Sequence, residues 1–151
     1  MRLRVFLFLF ALLAAAGAHA QSAASWNSDL NAALQQAKVT NKPILAVFSG
    51  SDWCKPCIML KQEVFDTPEF EQFAKDKFVL TRFDFPRSKK NKLPAAQTQI
   101  NEHAAAQFNK EGSFPLVVLI SPEGKVLAKT GYRPGGAAAY DAHLSQLLVK
   151  H

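Results

Sequence analysis

The chain has 151 residues, of which 48% are hydrophobic; 18 Lys and Arg against 12 Asp and Glu give a net charge of +6, and there are two cysteines. This length fits one domain with its own core, and two cysteines are too few for a disulfide-dense scaffold or a closed four-cysteine zinc site. The basic residues are dispersed apart from Arg87-Ser88-Lys89-Lys90-Asn91-Lys92, where no aromatic residue interleaves, so we read that run as a solvated loop and expect no nucleic-acid partner.

The first element is an export signal. Arg2 and Arg4 precede an apolar run from Val5 to Ala16, and Ala18 and Ala20 flank His19, the basic, apolar and A-x-A parts of a cleavable signal peptide over residues 1–20. The run is shorter than the roughly 20 residues that cross a bilayer, so cleavage is preferred to an uncleaved membrane anchor. No cysteine follows for lipid attachment, and the arginines are not adjacent as in a twin-arginine signal. Cleavage removes both arginines and no acid, lowering the net charge from +6 to +4, and leaves residues 21–151 as one domain, periplasmic or secreted.

Ser28 or Asp29 is placed to cap a helix with Leu30, Ala33, Leu34 and Ala37 on one face, ended by Asn41-Lys42-Pro43. Ile44 to Phe48 is apolar throughout, the pattern of a strand buried on both faces. A turn at Gly50-Ser51-Asp52 leads to a helix from Cys54 to about Glu63. Asp66-Thr67-Pro68-Glu69 predicts the start of another helix, with Phe70, Phe73 and Ala74 inward. Phe78 to Phe83 reads as a strand, Pro86 to Pro94 as a basic loop, and Ala95 to Phe108 as a helix with Ile100, Ala104 and Phe108 on one side. Leu116 to Ile120 and Lys125 to Thr130 flank Pro122-Glu123-Gly124 as a hairpin. Tyr140, Leu144, Leu147 and Leu148 mark the inner face of a last helix after Gly135-Gly136. The order α-β-α-α-β-α-β-β-α predicts an α/β fold: a mixed central sheet with helices on both faces.

Both cysteines lie in Trp53-Cys54-Lys55-Pro56-Cys57, where a buried strand passes into a helix. A loop this short gains little from being closed, so stability is a weak reason for the pair and chemistry a stronger one. At a helix N-terminus, unpaired N–H groups and the helix dipole stabilise the Cys54 thiolate, and the nearby Lys55 acts in the same direction, weakly because it is screened. Cys57 is one turn later on the same side. Cys54 is thus placed to attack a substrate disulfide and Cys57 to resolve the mixed disulfide. Pro56 restricts the intervening backbone, and Trp53 shapes the surface beside the nucleophile. A structural disulfide, or metal bound by two thiolates such as transient Cu(I), is the competing reading of the pair.

The W-C-x-P-C run after an apolar strand resembles the active site of the thioredoxin superfamily, closest to secreted single-domain members that open this region with F-S-G-S-D-W-C. Phe114-Pro115 before the Leu116–Ile120 strand is the second match, and Gly124 and Gly131 also fit the family pattern; the likeness extends from Ile44 to the C-terminus. It implies a thioredoxin fold, a cis bond at Pro115, a substrate-contacting backbone at Phe114, and thiol-disulfide exchange without cofactor or metal. Disulfide-containing or dithiol proteins are the implied substrates, and proline before the second cysteine resembles the reducing members, which implies a membrane thiol electron donor. Two departures stand out. The family's buried aspartate six residues before the first cysteine is Phe48 here, leaving the proton acceptor for Cys57 unassigned, with water or Asp84 as candidates. The segment from Phe85 to His103 is longer than its counterpart, either for partner specificity or as a tolerated insertion. His103 and His143 read as ordinary helix residues. The rival function is a binding module that uses the Phe114-Pro115 groove with its disulfide permanently closed.

Overall fold

The computed structural model describes residues 25–150, so the expected signal peptide lies outside the described residues. The elements are β1 (Trp26–Asn27), α1 (Leu30–Thr40), β2 (Ile44–Ser49), α2 (Lys55–Leu60), α3 (Pro68–Ala74), β3 (Val79–Asp84), α4 (Ala95–Phe108), β4 (Leu116–Ile120), β5 (Val126–Thr130) and α5 (Gly136–Val149). Local chemistry sets several of their ends. Asp29 caps α1, its carboxylate accepting from the N–H groups of Asn31 at 2.7 Å and Ala32 at 3.1 Å, and Asn41 ends that helix in the left-handed region. Thr67 caps α3 through the Phe70 N–H at 3.2 Å, just ahead of Pro68 in the first turn.

The five strands form one sheet in the order β1-β3-β2-β4-β5. β3 runs parallel to β1 and β2; β4 runs antiparallel to β2 and β5. Every residue of β4, and of β2 from Ile44 to Phe48, is buried, which explains their unbroken apolar sequence: both faces of these central strands are covered. Leu45 and Val47 of β2 pack with α2, α3 and α5, whereas Ile44, Ala46 and Phe48 pack with α1 and α4. The alternation of a strand thus divides the core into two layers, and the helices lie on both faces of the sheet as expected.

Three features were not in the sequence reading. Trp26–Asn27 adds an edge strand against Leu80 and Thr81, secured by Asn27 Nδ2 donating to the Leu80 carbonyl and the Thr81 hydroxyl donating to the Asn27 carbonyl, each at 3.1 Å. The helix after the cysteines runs past Glu63, because a π-helical turn over Lys61–Phe65 extends it. Its wide turn is closed by the Asp66 N–H donating to the Lys61 carbonyl at 2.8 Å and by the Lys61–Asp66 ion pair. The basic loop contains a 3₁₀ turn at Lys89–Asn91.

Candidate active site

At the C-terminal end of β2 the chain leaves the sheet through Gly50-Ser51-Asp52-Trp53 and enters α2 at Cys54. Cys54 and Cys57 are joined in a disulfide, S–S 2.01 Å and Cα–Cα 5.2 Å. Cys54 is the N-cap residue: the Cys57 N–H is shared between the Cys54 carbonyl at 3.0 Å and Cys54 Sγ at 3.3 Å, so a donor of the first helical turn also serves the sulfur. The Gly50 N–H donates to Cys57 Sγ at 3.5 Å. Pro56 sits in the first helical turn, where a missing N–H costs nothing, and it is exposed like Lys55.

The approach to Cys54 is aromatic. The ring of Trp53 meets that of Phe114 edge-on at 5.5 Å, and Phe114 meets Phe85 likewise at 5.3 Å. Trp53 is held by its indole N–H donating to the Phe85 carbonyl at 2.8 Å, and the Arg87 guanidinium lies 3.6 Å from its ring centre. The Phe114–Pro115 peptide is cis. Gly131 backs it, since a Cβ there would come within 3.2 Å of the Pro115 carbonyl oxygen. Trp53, Cys54, Cys57, Phe114 and Pro115, separated by about 60 positions in sequence, therefore meet at one end of the sheet.

Beneath Cys57 is a small cavity of about 100 Å³ lined also by Ser51, Lys61, Arg82, Asp84 and Pro115. Phe48 does not line it; that side chain packs against Phe83 at 5.2 Å in the α1/α4 layer. Asp84 does, but both of its oxygens have donors: Oδ1 accepts from the N–H groups of Ser51 at 2.9 Å and Phe85 at 3.0 Å, and Oδ2 from the Ser51 hydroxyl at 2.6 Å. His103 and His143 line neither this cavity nor the groove beside Trp53; they bond within their own surroundings, to Gln107 and Thr130 respectively. Among the described residues no group of three or more His, Cys, Asp or Glu is placed to hold a metal ion, and no helix is long and apolar enough to cross a membrane.

Asp52 is a site residue that the sequence reading passed over as part of a turn. Its carboxylate accepts from the N–H groups of Arg87 and Ser88, both at 2.9 Å, and from Asn91 Nδ2 at 3.0 Å. The backbone N–H of Arg87, followed by the side-chain amide of Asn91, holds its pKa below the ordinary carboxylate value. The only sequence signal was an acidic residue beside Trp53 and a basic loop some 35 positions away.

A family model described as thioredoxin-like matches residues 25–122. The chain is 40% identical over 116 residues to a disulfide bond reductase, DsbH, of Chlamydia pneumoniae, covering 77% of this chain and 68% of that one. It is 29% identical over 106 residues to the thioredoxin-related protein DsbJ of the same organism, covering 70% of this chain but 30% of that longer protein. Among solved structures, one titled DsbH oxidoreductase superposes with a TM-score of 0.77 at 36% identity, over 86% of this chain and 88% of the other.

Proposed function

The chain belongs to the thioredoxin-like family and has the thioredoxin fold, and from that premise we propose that it is a thiol-disulfide oxidoreductase working as an exported reductase of protein disulfides. The oxidoreductase class follows from the family and from a Cys-x-x-Cys pair within bonding distance. The observation that carries the proposal is the Cys54–Cys57 pair at the N-cap of α2, with Cys57 and Pro115 lining one small cavity. In favour of the reducing direction are Pro56 and the likeness to a protein named a disulfide bond reductase.

In the reaction, the Cys54 thiolate attacks one sulfur of a substrate disulfide; that bond breaks and the first substrate thiolate leaves. Cys57 then loses its proton to water and attacks Cys54 Sγ, expelling the second substrate thiolate, and the substrate thiolates are protonated from solvent. Two electrons pass to the substrate and the Cys54–Cys57 disulfide remains. The N-cap bond from the Cys57 N–H supplies a donor to Cys54 Sγ, which favours the thiolate. Trp53, Phe114 and Pro115 form the surface on which the substrate chain lies, and the protein needs no metal or cofactor of its own. A membrane thiol donor returns it to the dithiol state. Residues 1–20 direct export and are cleaved, leaving 21–151 in the periplasm or medium.

The test is insulin reduction by the purified domain with dithiothreitol. Catalysed precipitation that disappears in Cys54→Ser supports the reductase. A folded dithiol protein that leaves insulin intact would sink the proposal in favour of a binding module with a closed disulfide, and partner retention in a Cys54→Ala, Cys57→Ala double variant would then identify that module.

A further inference from the structure

Beside Trp53 the long segment after β3 encloses a groove of about 510 Å³, within the range of ligand sites. It is lined by the rings of Trp53, Phe85 and Phe114, by Arg87, Lys89 and Lys92 of the segment after β3, and by Glu102 of α4. We propose that this groove binds the stretch of a protein substrate adjoining its half-cystine, and that the stretch is acidic: an apolar side chain rests against Phe85 and Phe114 while carboxylates face Lys89, Lys92 and Arg87, whose guanidinium lies over the Trp53 ring. This rests on the reading that Cys54 attacks protein disulfides, and it names which ones are favoured.

Three observations support it. First, the groove adjoins the cysteine pair, because Trp53 and Phe114, which line it, directly precede Cys54 and Pro115 in the chain. Second, its walls are already built. Asp52 ties the Arg87–Asn91 stretch to the loop before Cys54, and Asn101 of α4 donates to the Asp84 carbonyl at 2.7 Å while Gln97 supports Asn101 at 2.8 Å. Little ordering is therefore left for binding to impose. Third, the charge is one-sided. Arg87, Lys89 and Lys92 make no ion pair among the described residues, and of the two acidic side chains in the lining, Asp84 and Glu102, the Asp84 carboxylate is engaged by Ser51 and Phe85. A substrate carboxylate is steered to the basic side. One exposed pair changes affinity a few-fold, so three cations acting on an acidic stretch give about tenfold.

The experiment uses three peptides that differ only beside one disulfide, with Asp-Phe-Asp, Asn-Phe-Asn or Lys-Phe-Lys, and a neutral small disulfide, hydroxyethyl disulfide, as the reference. The expected result is a kcat/KM for the acidic peptide about tenfold above the neutral one at low salt, converging at 0.5 M salt. The preference should disappear in a Lys89→Glu, Lys92→Glu variant whose rate with hydroxyethyl disulfide is unchanged. Binding of the same peptides with serine for cysteine, followed at the Trp53 indole N–H signal, reports the groove without any redox step. Equal binding of the acidic and neutral serine peptides, or a preference for the basic one, overturns the proposal. Failure to reduce even hydroxyethyl disulfide overturns the reductase reading instead, and leaves the groove to be judged by binding alone.

Discussion

Gly50 shows how closely the loop before Cys54 is drawn in. A Cβ at this position would come within 2.3 Å of the Trp53 indole, a distance no side chain tolerates, and the indole is fixed by its bond to the Phe85 carbonyl. Gly50→Ala must therefore push Trp53 off its acceptor, and overpacking of this kind costs about 1–3 kcal/mol. A lowered urea midpoint with altered Trp53 fluorescence is the expected outcome. On the proposed mechanism the two cysteines separate: Cys57→Ser keeps the attacking thiol but removes the resolving one, so the mixed disulfide with substrate should accumulate and be visible on a non-reducing gel. Cys54→Ser should trap nothing, because Cys57 lies inside the first turn of α2 and lines the small cavity beneath it, whereas Cys54 is at the helix cap.

At the scale of elements, two carboxylates work in opposite senses. Asp52 fastens the basic segment to the redox loop, and its pKa is depressed by those bonds, so their contribution is present above the ordinary carboxylate value and is lost as pH falls through the depressed one. Asp52→Ala should speed hydrogen exchange at the Arg87 and Ser88 amides by at least about tenfold at pH 7. Asp141 on α5 is the reverse case. It is buried at 8% exposure, its Oδ1 has no hydrogen-bond partner among the described residues, and burial, with the nearby Glu69 adding to it, pushes its pKa up to about 6. The native state thus holds this proton more tightly than the unfolded chain. Stability from this group is greatest below the unfolded value and falls as pH rises from about 4 to about 6. Asp141→Asn should stabilise the protein by about 1–3 kcal/mol at pH 7, with the gain vanishing near pH 4 in urea melts. Nothing in the sequence distinguished these two aspartates, since what separates them is which donors the fold brings to them. The long elements were legible because periodicity and caps are local: the apolar run of β2 and the Asp29 and Thr67 caps lie where the pattern placed them. Trp26–Asn27 was not, because two residues carry no period and the strand exists only through its register with β3.

For the molecule as a whole, folding and disulfide formation form one thermodynamic cycle. If the folded state favours the Cys54–Cys57 disulfide over the dithiol more than the unfolded chain does, the oxidised protein is the more stable and the potential is more reducing, by 30 mV for each 1.4 kcal/mol. A strong oxidant of this fold needs the opposite, a stabilised dithiol carrying a thiolate. Here both cysteines are buried, at 4% and 3% exposure, and each sulfur receives a single backbone N–H, from Cys57 to Cys54 and from Gly50 to Cys57. Burial disfavours a charged sulfur, and Lys55, exposed and screened, offsets little of this. The balance favours the neutral disulfide. The expected potential is therefore near the thioredoxin end, about −270 mV, rather than the strongly oxidising end near −120 mV, as read in dithiothreitol and glutathione buffers. The cycle supplies an independent check: the oxidised protein should unfold at a higher urea concentration than the reduced one. If the reduced form proves the more stable, the fold stores the thiolate after all, and the enzyme makes disulfides in its substrates instead of reducing them.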